Sequence, residues 1–356
     1  MSELGDRALD NLRRVVAWPD LSGTRYEVRG EIARGGMGVV YAAHDRDLGR
    51  DVAVKVIAPE HADPDVASRL LREARIIARL EHPGIVPVHD VGTLPDGRVY
   101  YAMKLVSGKR LDDIAREGRP LRERLRLFLR LCEPVAFAHA HGVIHRDLKP
   151  ENVMVGPFGE VLVMDWGVAK QRGEAELTPG APAGAGSAAA AAAGDTAHGT
   201  VLGTPAYMAP EQARGEVDRV DARADVHALG GVLHFLLTGR APGRSPADPS
   251  AVTRTWAGRP APNGGGSPFA EAPRDVPAAL QAVCRKALAP DPAGRYGRVE
   301  DLAADVSRFL EGEPVGAYPE GPWQKGVRVA VRYRVPILLV LAYVLARAAL
   351  LWLARV

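Results

Sequence analysis

Apolar and polar residues alternate in several short runs between residues 26 and 105. Such alternation is typical of half-buried β-strands, and it predicts strands at Tyr26–Ile32, Val39–Ala43, Asp51–Ile57 and Arg98–Leu105. One stretch among them, Val66–Leu80, carries its apolar residues at helical spacing instead. We therefore expect a small antiparallel sheet with one helix in this part of the chain.

Beyond Leu111 the hydrophobic pattern becomes that of helices. It predicts helices at Leu121–His141, Ala222–Thr238, Val276–Ala289 and Val299–Leu310. The expected fold class is thus α+β with two lobes. A small β-rich lobe over residues 26–106 is followed by a larger helical lobe over residues 107–312.

Three stretches depart from this order. Residues 1–25 are a polar N-terminal extension with a helical pattern around Leu9–Val16. Residues 173–199 contain a run rich in Ala, Gly and Pro, which predicts a mobile insert. Ala241–Pro273 is also rich in Pro and Gly, and we expect a long surface loop there.

The C-terminal segment is almost entirely apolar. Val335–Leu353 has roughly the length that a helix needs to cross a bilayer, and a basic segment, 313–334, precedes it. Arg347 interrupts the run at a cost of about 2.5–3.5 kcal/mol, which the surrounding apolar residues can outweigh. We expect a transmembrane helix over residues 335–354 that anchors a cytoplasmic domain, with no sensor domain beyond the membrane in this chain. An amphipathic or core-docked helix is the alternative, although apolar residues surround the whole helix.

The composition is that of an ordinary globular protein, with 47% hydrophobic and 25% charged residues among 356. The formal charge of +3 gives no reason to expect nucleic-acid binding. Cys132 and Cys284 are far apart and lack neighbouring ligands, so we expect two reduced core cysteines. The polar N-terminus predicts no signal peptide.

A glycine-rich hairpin is predicted between the first two strands, over residues 33–40. Glycine lets the backbone N–H groups of such a hairpin approach phosphate oxygens without side-chain clash. A plain turn between two strands is the alternative. The next strand places Lys55 among apolar neighbours, where Glu73 on the following helix could pair with it and hold it toward phosphates. Alternatively, Lys55 lies at the surface and Glu73 is a solvated helix charge.

The segment HRDLKPEN, residues 145–152, is the strongest chemical signal in the chain. Asp147 can accept the proton of an incoming hydroxyl, Lys149 can neutralise a developing phosphate charge, and Asn152 can ligate a metal. Asp165 follows the apolar strand Val161–Met164 and is suited to hold Mg²⁺. Phosphoryl transfer needs mainly such positioning and charge stabilisation.

The order of these motifs resembles the bacterial branch of the eukaryotic-like serine/threonine protein kinase family over about residues 26–312. The segments VAVK, HRDLKPEN, DWG and GTPAYMAPE carry the resemblance. It implies a two-lobed protein kinase fold, with ATP and Mg²⁺ as cofactors and serine or threonine hydroxyls of proteins as acceptors. By the same resemblance Lys55 and Glu73 form an activating ion pair, Asp147 is the catalytic base, and Asn152 and Asp165 bind Mg²⁺.

The resemblance also implies supporting roles. Thr204 would bond Lys149 and Asp147 and shape the substrate groove. Glu211 would pair with Arg295, and Asp225 would brace the backbone of the catalytic loop.

The ATP site follows from the same resemblance. Val40 and Ala53 would enclose the adenine, Met103 would be the gatekeeper, and the hinge Lys104–Val106 would offer backbone hydrogen bonds. The residues implied in ATP binding are Ile32, Ala33, Arg34, Gly35, Gly36, Met37, Gly38, Val39, Val40, Ala53, Lys55, Met103, Lys104 and Val106.

Three positions depart from the family pattern. Ala33 replaces the first glycine of the loop, and Lys104 replaces an acid in the hinge. Trp166 replaces the usual Phe after Asp165, so its larger ring must pack under the helix of Glu73, near Ile77.

Two alternative functions stay open. The first is a catalytically silent pseudokinase that binds ATP as a scaffold, and the second is a small-molecule kinase of related fold.

The segment between Asp165 and Glu211 suggests regulation. The hypothesis is that Thr196 or Thr200 is autophosphorylated and that the phosphate pairs with Arg146. The alternative is that both are ordinary loop threonines. A homodimer would allow this phosphorylation to occur in trans.

Overall fold

The computed structural model of the chain describes residues 18–35, 38–57, 64–166, 170–171, 206–216, 219–242, 276–322, 325–326 and 334–353. The predictions of a helix around Leu9–Val16 and of a mobile insert over residues 173–199 lie outside the described residues. The loop predicted at 241–273 lies outside them as well, apart from residues 241 and 242.

The N-terminal lobe is built on an antiparallel sheet, which has five strands within the described residues. Its order is β1-β2-β3-β5-β4. The strands are β1 (Tyr26–Gly35), β2 (Gly38–Asp45), β3 (Arg50–Ile57), β4 (Val88–Thr93) and β5 (Val99–Lys104). The four predicted strands are confirmed. Strand β4 was missed because it lies at the sheet edge, where its residues are only partly buried and show little apolar alternation.

The predicted helix of this lobe is α1, Pro64–Ala78. Its apolar stripe includes the buried residues Leu70, Ala74 and Ile77. Leu70 and Ala74 share a hydrophobic cluster with Ala53 of β3 and Tyr101 of β5, so the helix packs on one face of the sheet. This packing points Glu73, which is also buried, toward strands β3 and β5.

The C-terminal lobe is mainly helical, as predicted. Its helices are α2 (Leu111–Arg116), α3 (Leu121–Ala140), α4 (Pro210–Ala213), α5 (Ala222–Thr238), α6 (Ala278–Ala287) and α7 (Val299–Glu311). Short strands support the site: β6 (Lys109–Arg110), β7 (Val143–Ile144), β8 (Val153–Val155), β9 (Val161–Val163) and β10 (Lys170–Gln171). Cys132 and Cys284 are free and buried, as expected.

Helix α5 forms the centre of this lobe. It is buried along most of its length, which agrees with a sequence that is apolar around the whole helix. Asp221 caps the first turn by accepting a hydrogen bond from the backbone of Arg223, and Gly239 ends the helix in a left-handed conformation. The buried carboxylate of Asp225 therefore stands on a rigid element.

The C-terminal apolar segment forms helix α8, Arg334–Leu353, so the prediction that this segment is helical is confirmed. The expected transmembrane helix over residues 335–354 is not borne out. Within the ranges that the structure describes, we find no helix with the length and hydropathy needed to cross a membrane.

Candidate active site

The loop between β7 and β8 holds the side chains predicted to carry out the chemistry. Lys149 Nζ donates a hydrogen bond of 2.9 Å to Asp147 Oδ2. Asn152 Nδ2 donates to the carbonyl oxygen of Asp147 at 2.8 Å and to its Oδ2 at 3.2 Å. The Asp147 carboxylate is therefore fixed between a cation and an amide, as the predicted positions of base, lysine and metal ligand require.

The backbone of this loop is braced from helix α5. Asp225 Oδ1 accepts from the N–H of Arg146 at 2.8 Å, and its Oδ2 accepts from the N–H of His145 at 2.8 Å. His139 Nε2 lies 2.7 Å from the same Oδ2. Burial acts to raise the pKa of Asp225, but its interactions with His139 and His145, above all the hydrogen bond with His139, outweigh this effect and hold the pKa below its ordinary value. The bracing role of Asp225 is confirmed, whereas the part of His139 was not predicted.

Arg146 has a strained backbone, with φ of 69°, and a second contact holds it. Gln212 Nε2 donates 2.9 Å to the carbonyl oxygen of Arg146, while Gln212 Oε1 accepts from the N–H of Ala209 at 3.2 Å. Helix α4 is thus tied to the catalytic loop through one amide side chain. Gln212 was not among the residues predicted to belong to the site.

The predicted ion pair between the lobe's sheet and helix α1 is formed. Lys55 Nζ lies 2.8 Å from Glu73 Oε1 and 3.0 Å from Oε2, and it also approaches Asp165 Oδ1 at 3.3 Å. Burial acts to lower the pKa of Lys55, but Tyr101, Glu73 and Asp165 together raise it above its ordinary value. Desolvation acts to raise the pKa of Asp165, and Lys55 outweighs it, so the pKa of that carboxyl is lowered. Lysine and aspartate are therefore both charged at neutral pH.

Trp166 was predicted to pack under helix α1, near Ile77. It is fully buried and belongs to the same hydrophobic cluster as Ile77 of helix α1. Its ring centroid lies 4.6 Å from that of His145, and its indole N–H donates to the carbonyl oxygen of Val163 at 3.4 Å. A phenylalanine could not make this hydrogen bond.

The two predicted metal ligands offer oxygen atoms of the kind that Mg²⁺ prefers. Asn152 uses its amide nitrogen on Asp147, which leaves its carbonyl oxygen for a metal. Asp165 has an accessible carboxylate, with 53% of its side-chain surface exposed. Among the described residues, there is no cluster of three or more His, Cys, Asp or Glu side chains suited to a metal. The pair fits an ion that takes its remaining ligands from nucleotide phosphates and water.

The residues predicted to enclose adenine belong to one apolar cluster, to which both lobes contribute. Ala53 of β3 lies opposite Met103 of β5, and both share a cluster with Val40 and Val106. Leu162 of β9, which we did not predict, closes the same cluster from the other lobe. Its apolar strand before Asp165 was the available signal.

The hinge begins at Lys104, which is exposed. Its backbone N–H donates to the carbonyl oxygen of Pro87 at 3.1 Å, so this group already has a partner within the protein. A hinge donor to adenine is therefore better sought at Val106 than at Lys104.

The glycine hairpin connects β1 and β2, and Gly35 lies opposite Gly38. A side chain at Gly38 would place its Cβ 2.4 Å from the carbonyl oxygen of Val56, whereas one at Gly35 would meet only ordinary contacts. Gly38 is thus required by the fold itself, whereas the fold leaves room for a side chain at Gly35.

The other residues predicted on the hairpin fall on or beside its two strands. Ala33 lies opposite Val40, Arg34 pairs with Glu31 at 3.0 Å, and Ile32 is half-exposed. Val39 is buried in the sheet. Gly36 and Met37 lie outside the described residues.

The activation segment, between Asp165 and Glu211, ends beside the catalytic loop, residues 145–152. Tyr207 and Met208 line a small cleft with Arg146 and Asp147. Glu211 and Arg295 form a fully buried bidentate pair with distances of 2.7 and 2.8 Å, as predicted. The predicted regulatory and groove residues Thr196, Thr200 and Thr204 lie outside the described residues.

A β-rich lobe that presents a Lys–Glu pair, and a helical lobe that presents an Asp–Lys–Asn loop, together define a protein kinase. The chain belongs to the protein kinase domain family, whose sequence model matches residues 26–306.

Curated relatives are bacterial enzymes named as serine/threonine-protein kinases. The chain is 37% identical over 307 residues to the probable serine/threonine-protein kinase SCO3848 of Streptomyces coelicolor, with 84% of this chain and 42% of the relative covered. It is 38% identical over 304 residues to PknB of Mycobacterium tuberculosis, with 84% and 44% covered. It is 35% identical over 310 residues to PknD of Protochlamydia amoebophila, with 81% and 30% covered. The chain thus spans less than half the length of these relatives.

A solved structure supports the same assignment. The crystal structure of the kinase domain of Mycobacterium tuberculosis PknI matches with a TM-score of 0.56 and 26% identity. The match covers 80% of this chain and 95% of that domain.

Proposed function

We propose that this protein is a serine/threonine protein kinase that transfers the γ-phosphate of ATP to hydroxyl groups of protein substrates. The observation that carries the proposal is the assembled polar set: Asp147 held by Lys149 and Asn152, and Lys55 held by Glu73 beside Asp165. A pseudokinase usually lacks one of these groups, and here all of them are present in bonded positions.

ATP would bind between the lobes. Its adenine would occupy the apolar cluster of Val40, Ala53 and Met103, with a backbone hydrogen bond from Val106. The Lys55 ammonium would contact the α- and β-phosphates while Glu73 holds it in place. Mg²⁺, held by Asn152 and Asp165, would neutralise phosphate charge when bound.

The transfer itself would use the catalytic loop. Asp147 accepts the proton of the substrate hydroxyl, whose oxygen forms a bond to the γ-phosphorus as the bond from that phosphorus to the β–γ bridging oxygen breaks. Lys149, 2.9 Å from Asp147, is placed to stabilise the charge on the transferring group. Tyr207 and Met208, which lie beside Asp147, would contact the substrate chain around the acceptor.

Serine and threonine are the acceptors that the sequence favours. Lys149 stands two residues after the base within HRDLKPEN, and the curated relatives are named as serine/threonine kinases. Their shared identity over most of this chain supports the same acceptor class here.

Regulation by autophosphorylation is part of the proposal. A phosphate on Thr196 or Thr200 would carry about −1.5 to −2 charges and would be attracted to Arg146 beside the catalytic base. A homodimer would bring the segment of one copy to the site of the other. Mass spectrometry of the active protein should find one of the two threonines modified, and finding neither modified would rule the idea out.

The cellular location of the protein is proposed from its need for ATP and from the exposed apolar surface of helix α8. The domain needs ATP, so we place it in the cytoplasm. Helix α8 exposes Leu338, Val340, Val344 and Trp352, which supports anchoring of the chain to a membrane through this helix. Recovery of the full chain in the soluble fraction of disrupted cells would contradict membrane association.

A phosphoproteome comparison tests the proposal in the cell. Cells that express the wild-type chain should gain phosphorylated serine and threonine sites relative to cells that express Asp147→Asn at the same level. Identical phosphoproteomes, with ATP still bound by the purified protein, would favour the pseudokinase.

A further inference from the structure

Tyr101 occupies the middle of strand β5 and lies directly opposite Lys55 of β3 in the sheet register. Residues opposite each other on neighbouring strands project from the same face of a sheet. That face is covered by helix α1, whose Leu70 and Ala74 share a cluster with Tyr101. Tyr101 and Lys55 therefore both reach toward the same helix.

The two side chains meet on one carboxylate. The Tyr101 hydroxyl donates a hydrogen bond of 2.8 Å to Glu73 Oε1, and Lys55 Nζ lies 2.8 Å from the same oxygen. Tyr101 and Glu73 are each only 2% exposed. The Lys55 ammonium also lies 5.8 Å from the centre of the Tyr101 ring, within the range of a cation–π contact.

Glu73 is thus held by residues of two different strands, Lys55 of β3 and Tyr101 of β5. Lys55 must also serve Asp165, 3.3 Å away, and the nucleotide phosphates, so its long side chain is shared among several anions. The Tyr101 ring is packed in the cluster between sheet and helix and has only two rotatable bonds, so its hydroxyl is a fixed donor. A hydrogen bond to a buried carboxylate is among the stronger ones in proteins.

The hydroxyl remains a donor at any working pH. Burial raises the pKa of Tyr101 well above its ordinary value, and Glu73 adds to this effect although Lys55 opposes it. Tyr101 therefore offers its proton to Glu73 rather than losing it.

We propose that Tyr101 is a positioning residue for phosphoryl transfer, which holds Glu73 and with it helix α1 against the sheet while Lys55 engages ATP. This inference rests on the proposed function, because it concerns the placement of the lysine that would bind the phosphates. Tyr101 acts through Glu73 and Lys55 and does not itself contact the reacting atoms.

Tyr101→Phe tests the proposal, with Tyr100→Phe as the matched control. Tyr100 is the preceding residue of the same strand and is also buried, and it belongs to the cluster on the opposite face of the sheet. We expect Tyr101→Phe to raise the KM for ATP about tenfold, as loss of a hydrogen bond to a charged group would, with the KM for the protein substrate unchanged. Tyr100→Phe should leave both values within about twofold.

Comparing the effects on kcat and on the KM for ATP distinguishes a positioning role of Tyr101 from a simple loss of folded enzyme. A smaller active fraction lowers the apparent kcat and leaves the KM for ATP unchanged. If Tyr101→Phe lowers only kcat, or behaves as Tyr100→Phe does, the proposal is overturned.

A double-mutant cycle identifies the route of action. In a Glu73→Gln background, Tyr101→Phe should have little further effect on the affinity for a fluorescent ATP analogue. An equal effect in both backgrounds would overturn the proposal. Because analogue binding is measured without turnover, it tests Tyr101 even if the wild-type protein shows no transfer, which alone would contradict the proposed function.

Discussion

The side chain of Gln212 joins helix α4 to the carbonyl oxygen of Arg146 with a hydrogen bond of 2.9 Å. Arg146 is also held through its N–H by Asp225 at 2.8 Å. Two side chains from different helices thus fix both polar groups of one strained residue directly before Asp147, the proposed catalytic base. Such strain is kept only where the surroundings over-determine the conformation.

Replacing Gln212 should therefore disturb catalysis more than folding. Gln212→Leu removes the donor to Arg146 and should lower kcat about threefold to tenfold, the scale of one lost hydrogen bond. Steady-state kinetics with a protein substrate measure the change. Gln281→Leu, on helix α6, offers a control that also loses a side-chain hydrogen bond to backbone, at 2.9 Å to Val276. Equal effects of the two substitutions would contradict a role for Gln212 at the loop.

The buried pair of Glu211 and Arg295 should matter for stability. Glu211→Gln leaves the Arg295 guanidinium, which is fully buried, without its counter-charge. We expect a loss of about 3–5 kcal/mol in the free energy of unfolding, measured by urea denaturation. Glu216→Gln, which loses exposed pairs with Arg214 and Arg219, should reduce the free energy of unfolding far less, because water screens surface ion pairs. A similar small cost at Glu211 would show that the buried pair does not support the fold.

The same pair predicts a pH dependence. Burial acts to raise the pKa of Glu211, but the hydrogen bonds from Arg295 outweigh it, so the pKa in the folded protein lies below the ordinary value of 4.5. The stabilisation is therefore complete above that ordinary value and is lost as pH falls through the lowered folded pKa. The stability difference between wild type and Glu211→Gln should narrow on acidification. A difference that grows toward low pH would contradict this assignment.

The two glycines of the hairpin should respond differently to alanine. At Gly38 the added Cβ meets the carbonyl oxygen of Val56 at 2.4 Å, so Gly38→Ala must shift the sheet and should lower the melting temperature. At Gly35 the nearest atom lies 3.9 Å away, so Gly35→Ala should fold normally and mainly raise the KM for ATP. Thermal denaturation and ATP titration of both variants separate the effects. A destabilised Gly35→Ala protein would show that the hairpin also needs this glycine for folding.

The parts of the fold that were predictable carry local signals. Helix α5 was predicted from its hydrophobic pattern with both ends correct, and in the structure Asp221 caps its first turn and Gly239 ends it. Strand β4 has no such pattern, since it is partly exposed at the sheet edge.

Some residues of the site could likewise be predicted from the sequence, and others could not. Asp147, Lys149 and Asn152 lie within one short segment, so their common role was readable from their spacing. Tyr101 meets Glu73 across 28 residues of sequence and Gln212 meets Arg146 across 66. A tyrosine in an apolar strand and a glutamine in a short helix look ordinary until packing brings them to their partners.

The central claim is that Asp147 accepts the proton of a protein hydroxyl during transfer from ATP. The most direct measurement is the transfer of radiolabelled γ-phosphate from Mg-ATP to a serine- and threonine-containing protein, with wild type and Asp147→Asn compared at equal ATP-site occupancy. We predict incorporation on serine or threonine by the wild type and a loss of at least about a hundredfold in Asp147→Asn, the scale of general-base catalysis. Equal incorporation by both proteins, or none by the wild type while it binds ATP, would contradict the account.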